Sequence, residues 1–112
     1  MSFTRKVVDQ MLDSETERYI AEQKAALEAR PDWAEGHLNL AQLYRVHRRF
    51  KDDAKRELLR AIELKPSLAD AHIALGEIYI GDGDFRRARE HAEYAAKFGS
   101  PRLLEQIERY TS

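Results

Sequence analysis

Residues 66–98, PSLADAHIALGEIYIGDGDFRRAREHAEYAAKF, repeat the pattern of residues 31–64, PDWAEGHLNLAQLYRVHRRFKDDAKRELLRAIEL. With Ala34 set over Ala69, His37 falls on His72, Leu40 on Leu75, Ala41 on Gly76 and Tyr44 on Tyr79. Once one residue is skipped near Phe50, Ala54 falls on Ala88 and Ala61 on Ala95, and Pro66 and Pro101 close the two segments. The offset is 35 residues before the skip and 34 after it. A period of this size with helical spacing inside it marks a stacked array, in which no unit buries its apolar face alone.

Each segment reads as two helices. Asp32-Trp33-Ala34-Glu35 is a box-like start for a helix to about Val46. Phe50 opens the next, roughly 51–64, with Ala54, Leu58, Ala61 and Ile62 on its buried face. Ser67-Leu68-Ala69-Asp70 starts a helix that ends at Gly81, and Gly81-Asp82-Gly83-Asp84 is a tight turn with Asp84 as N-cap of a helix over 85–98. Gly99 stops that helix, and Ser100-Pro101 starts a short last one whose inner face is Leu103, Leu104 and Ile107. Small residues recur where the helices of a unit should cross: Ala41 and Gly76, faced by Ala54 and Ala88, with Ala61 and Ala95 on the next contact down.

Residues 1–30 leave two readings open. Phe3, Val7, Val8, Met11 and Leu12 form one helical stripe, and Ser14-Glu15-Thr16-Glu17 fits a capping box for a separate helix over 15–29. The alternative is one long helix through Asp13-Ser14. Trp33 also has two readings, as cover for the junction between this segment and the first full unit or as an exposed binding aromatic.

The two units resemble the tetratricopeptide repeat family. The second carries Leu75-Gly76, Tyr79, Gly83-Asp84-Phe85, Ala88, Ala95 and Pro101, and the first carries Leu40-Ala41, Tyr44, Phe50, Ala54, Ala61 and Pro66. Both place His37 and His72 where that family usually has a large aromatic, and the first has Arg48-Arg49 and one extra residue in place of the Gly-Asp turn. The resemblance covers about two-thirds of the chain. It implies an all-α fold, a right-handed α-α superhelix of antiparallel helix pairs. It implies a single domain over 1–112: a degenerate N-terminal helix pair or long helix (1–30), units at 31–65 and 66–99, and a C-terminal capping helix (100–112). Counting back from Pro31, Phe3 and Ala26 fall at the family's aromatic and late-alanine positions.

Composition narrows the function classes. Hydrophobic residues make up 43% and charged residues 35%, which suits a thin solenoid with much surface. The formal net charge of −1 gives no global field to gather nucleic acid or an anionic membrane. Cysteine is absent, which excludes disulfides, thiol catalysis and cysteine-based zinc sites. The first residues show no sustained apolar core and no run approaches a membrane span, so a cytoplasmic protein is expected.

Chemistry finds little purchase. No histidine pair has the i, i+4 spacing of a zinc helix, and His37 and His72 read as packed, hydrogen-bonded substitutes for an aromatic. Gly81-Asp82-Gly83-Asp84 lacks the later ligands of a calcium loop. No enzyme activity, cofactor or metal is expected. Arg45, His47, Arg48, Arg49 and Lys51 gather at one turn and Arg86, Arg87 and Arg89 beside the next. They read either as a docking strip or as helix-end and solubility charges, the latter favoured because no aromatics interleave them. Nucleic acid is not an expected partner.

The resemblance also implies a concave groove lined by the first helix of each unit. Its positions fall on Glu35, Leu38, Asn39, Gln42 and Arg45, and on Asp70, Ile73, Ala74, Glu77 and Ile80. These lack the Lys, Asn and Arg set with which one subclass of the family clamps C-terminal carboxylates. A groove of this composition suits an extended or helical segment with apolar anchors and some positive charge. The expected function is a non-catalytic adaptor that binds a protein or peptide there. The alternatives are that the N-terminal helix covers the groove, or that two copies pair as a structural homo-oligomer.

Overall fold

The computed structural model describes the backbone of residues 5–111 and the side chains of 14–47 and 49–110. The stripe of Phe3, Val7, Val8, Met11 and Leu12 lies outside the described side chains, as does Arg48. The described chain is all-helical, with helices α1 (Arg5–Ala29), α2 (Ala34–Tyr44), α3 (Lys51–Leu64), α4 (Ala69–Gly81), α5 (Phe85–Lys97) and α6 (Arg102–Thr111). A single 3₁₀ turn, Arg48–Phe50, leads into α3.

Of the two readings left open for residues 1–30, the long helix is the one seen. α1 runs through Asp13-Ser14 as one helix, so Ser14 is not an N-cap. The physical reason is that Ser14-Glu15-Thr16-Glu17 holds neither proline nor glycine, and an interior serine or threonine costs only tenths of a kcal/mol. The box at Asp32 also fails. Trp33 and Leu68 hold the N-cap positions of α2 and α4, and neither makes a side-chain cap. Histidine ties these two turns instead. His37 Nε2 donates to the Pro31 carbonyl at 2.9 Å, and His72 Nε2 to the Pro66 carbonyl at 2.8 Å.

The C-terminal ends of α4 and α5 are built alike. Gly83 (φ 77°) and Gly99 (φ 100°) take the left-handed conformation just past each helix. Asp84 N–H then reaches the Tyr79 carbonyl at 2.9 Å and Ser100 N–H the Ala95 carbonyl at 2.8 Å, which closes a Schellman motif at each end. α2 has no such glycine. It ends at Tyr44, two residues before the expected Val46, and its extra residue is taken up in the 3₁₀ turn. Asp84 does cap α5, accepting from Arg87 N–H at 3.1 Å.

Each helix packs chiefly on its neighbours in the chain. Arg45, which caps the C-terminal end of α2, reaches Glu77 of α4 at 3.3 Å, and Ile73 and Ile80 of α4 pack against the cluster that holds Leu103 and Ile107 of α6. On the other side, Lys24 and Leu27 of α1 line one cleft with Arg56 and Glu57 of α3. The helices therefore zigzag between two rows, α2–α4–α6 and α1–α3–α5. The molecule measures 50 × 38 × 20 Å, and 20 Å is the thickness of two helix layers.

The core lies between the rows, with small side chains at the helix crossings and larger ones such as Leu40, Tyr44 and Ile78 around them. Ala41, Ala54, Ala61, Ala88 and Ala95 are wholly buried, and the largest wholly buried side chains are Leu58 and Leu75. A Cβ on Gly76 would lie 2.5 Å from Leu103 Cδ2 and 3.4 Å from the Ala88 carbonyl oxygen. The expected close crossing of α4 and α5 is thus at Gly76 and Ala88, with α6 laid over it. Trp33 is half-buried and packs on the core beside α1 and α2, which favours its reading as cover for the junction.

Candidate functional site

The row α2–α4–α6 presents the residues singled out for a groove, and they divide into three groups. Leu38 and Ala74 are buried. Leu38 belongs to the cluster that Ile20 and Leu27 of α1 share with α2 and α4, so neither it nor Ala74 is a surface anchor. This corrects the expectation for both, and the cause is position. α2 is flanked by α1 and α4, and α4 by α2 and α6, so side chains at these two sites meet protein rather than solvent.

The second group is polar and internally paired. The Arg45 guanidinium donates to Gln42 Oε1 at 3.1 Å and to Glu77 Oε1 at 3.3 Å, forming a chain of hydrogen bonds from α2 to α4. Lys65 Nζ donates to Glu35 Oε1 at 2.8 Å. That bond holds the Glu35 carboxyl below its ordinary range. Two of the carboxylates expected to attract a basic partner are therefore already matched by the chain's own cations. Asn39 and Asp70 are exposed.

The third group is apolar. Ile80 lines a groove of about 380 Å³ with Phe85, Leu103, Gln106, Ile107 and Tyr110. Tyr110 is 88% exposed and Phe85 59%. Phe85 and Tyr110 were missed as site residues. Leu103, Ile107 and Tyr110 fall at i, i+4 and i+7, so the stripe that marked the inner face of α6 also pointed to Tyr110. Ile73 is half-buried against the same α5–α6 cluster. The row thus offers hydrogen-bonding groups at α2 and an apolar, aromatic-rimmed groove between α4 and α6.

The basic turns are paired too. Lys51 and Lys55 reach Asp82 at 2.7 and 3.0 Å. Their hydrogen bonds hold the Asp82 carboxyl below its ordinary value. Arg49 reaches Glu17 at 3.5 Å, Arg86 reaches Glu90 at 2.8 Å and Arg87 reaches Asp84 at 2.7 Å. Each of these contacts joins one helix or turn to another or braces its own end, which is a structural use of the charge. Among the described residues no three or more histidines, aspartates or glutamates gather as a metal site would need, and no helix is long and apolar enough to cross a membrane.

No protein-family model matches this sequence, and no curated protein matches it significantly.

Proposed function

We propose that this chain is a small non-catalytic adaptor of tetratricopeptide type, acting in the cytoplasm, that holds a segment of a protein partner across the α2–α4–α6 row. The observation that supports this most is that the sequence repeat is also a repeat of contacts. His37 and His72 make the same bond to the proline that opens each unit, at 2.9 and 2.8 Å. Stacked units of this kind make a preformed surface, and preorganisation reduces the ordering cost of binding. The partner segment would be amphipathic, with polar groups over Asn39, Gln42, Arg45 and Glu77 and an aliphatic or aromatic anchor in the groove at Ile80.

The test is affinity capture from a native lysate with the wild type beside Asn39→Lys/Gln42→Lys. Both positions are exposed, so the variant should keep its helix content, which circular dichroism checks. A charge placed at Leu38 would test folding instead, because that residue is buried. A protein retained by the wild type and lost by the variant supports the adaptor. Equal retention by both moves the site off this row. Self-pairing is the second reading, favoured by the exposure of Phe85 and Tyr110 beside an apolar groove. Mass by light scattering that rises with concentration in the wild type and not in Tyr110→Ser would support it.

A further inference from the structure

The two helix pairs contain the same side-chain seam with one residue changed. In each, a histidine of the first helix donates Nε2–H to a proline carbonyl, His37 to Pro31 and His72 to Pro66. A carbonyl only accepts, so Nε2 carries the hydrogen in both rings. Nδ1 then turns towards the second helix of the pair. His37 Nδ1 meets Glu57 Oε1 at 3.2 Å, and His72 Nδ1 meets His91 Nδ1 at 3.1 Å. Glu57 and His91 hold the same position in their units, 34 residues apart.

These two partners make opposite demands on protons. Ionised Glu57 has no hydrogen to donate, and neutral His37 has only a lone pair left at Nδ1. That contact is a hydrogen bond only when one added proton is held between ring and carboxylate. The neutral His72–His91 pair needs none, because His91 Nδ1–H donates to the His72 Nδ1 lone pair. One added proton can sit on His91 Nε2 and leave that bond in place. A second must go to His72 Nδ1, and two N–H groups on two cations then face each other.

The surroundings make even the first proton unwelcome. His72 is buried and His91 half-buried. Their rings lie in an aromatic stack, with Tyr79 5.6 Å from His91, and Tyr94 and Phe98 at 5.2 and 6.1 Å from His72. Lys55 of α3 and Arg87 of α5 sit over Tyr79 at 5.2 and 6.0 Å, adding positive charge on that side. α6 meets the α5 side with Leu103 and Ile107. Glu90, beside His91 in α5, is held by Arg86 at 2.8 Å. Burial first, then the charge of His72, holds the His91 ring below its ordinary pKa, with Glu90 opposing.

We propose that the His72–His91 pair is a proton-sensitive latch between α4 and α5, weakened as pH falls below neutral, and that the first unit, with Glu57 in place of the second imidazole, lacks it. A base that binds its proton less tightly folded than unfolded contributes in full above the unfolded value, about 6.5, and loses that contribution as pH falls below it. Acid should therefore loosen the second unit more than the first.

Hydrogen exchange of the full chain at pH 7.5 and 5.5, corrected for the intrinsic pH dependence of exchange, reads both units in one sample. Protection of α4 and α5 should drop several-fold at pH 5.5, and more than that of α2 and α3. His91→Glu places the first unit's partner in the second, and should abolish or reverse the drop. His91→Gln, which takes up no proton at that position, should shrink the drop in α4 and α5. An equal drop in both units of the wild type overturns the proposal, whether or not either variant folds. So does a drop in His91→Gln as large as in the wild type.

Discussion

Replacing Gly36 and Gly81 by alanine, one at a time, should move stability in opposite directions. Both glycines lie in helices, and neither has a positive φ. On propensity alone each substitution favours the folded state by up to about 1 kcal/mol. At Gly81 nothing lies within 4 Å of the added Cβ, so that gain stands. At Gly36 the Cβ would run into the Trp33 indole, 2.7 Å from its Cδ2, and come within 2.9 Å of Leu27 Cδ2. The indole is rigid, and Arg30 covers it at 4.5 Å. It can make room only by shifting against α1, whose Leu27 fills the same space. Overpacking of this kind costs about 1–3 kcal/mol, which exceeds the gain. The net expectation for Gly36→Ala is a loss of about 1 kcal/mol, against a gain of up to about 1 for Gly81→Ala.

For a chain of this length 1 kcal/mol is about 4 °C in Tm, so the two variants should melt about 8 °C apart. Circular dichroism at 222 nm measures this. Trp33 is the only tryptophan, so its emission should shift to the red in Gly36→Ala as the ring leaves its seat. If Gly36→Ala raised Tm as Gly81→Ala does, with unchanged emission, Trp33 could not lie over α2 and the packing of α1 on α2 would be wrong.

Two further substitutions probe the second unit. Gly76→Leu should lower stability by about 1–3 kcal/mol, because its Cβ alone would stand 2.5 Å from Leu103 Cδ2; an unchanged melting midpoint would place the α4–α5 crossing elsewhere. Asp84→Ala removes the cap of α5 and should lower Tm at pH 7. The Arg87 backbone N–H, then the Arg87 guanidinium, hold the Asp84 carboxyl below its ordinary value. A carboxylate so held stabilises the fold above about pH 4 and loses that effect as pH falls through its folded value. The gap between wild type and variant should therefore narrow at pH 3, and a constant gap would show that the charged cap contributes nothing.

What could be read from the sequence follows the residues that admit few alternatives. Proline before a helix, glycine after one, and alanine where two helices touch each have one cheap placement, so α3 and α4 fall where expected. Serine and threonine in the middle of a polar run do not. Ser14 suits a cap or an interior position almost equally, and α1 runs straight through it. The groove was harder still. Its acidic character depended on what Glu35 and Glu77 meet, and Lys65 and Arg45 stand 30 and 32 residues away in the chain. The repeat period brings such residues together, yet pairing depends on side-chain reach, which the period does not specify.

The differences between the two units are as informative as their agreement. Leu40 and Leu75, Tyr44 and Tyr79, Ala54 and Ala88, and Ala61 and Ala95 coincide because each fills a crossing that both units must make. Where the first helices face outward the units diverge. Gln42, Arg45 and Val46 stand against Glu77, Ile80 and Gly81. A stack of identical units would present the same surface twice and fix no direction along the row. Here Arg45 bridges towards α4 while its counterpart, Ile80, lines the groove with α6, so the row turns from polar to apolar along its length. A bound segment reversed end to end would set its polar residues on Phe85 and Tyr110 and its apolar anchor on the Gln42–Arg45–Glu77 chain. Burying that chain without new partners costs several hydrogen bonds' worth of desolvation, so on the adaptor reading the surface selects the orientation of its ligand as well as its composition.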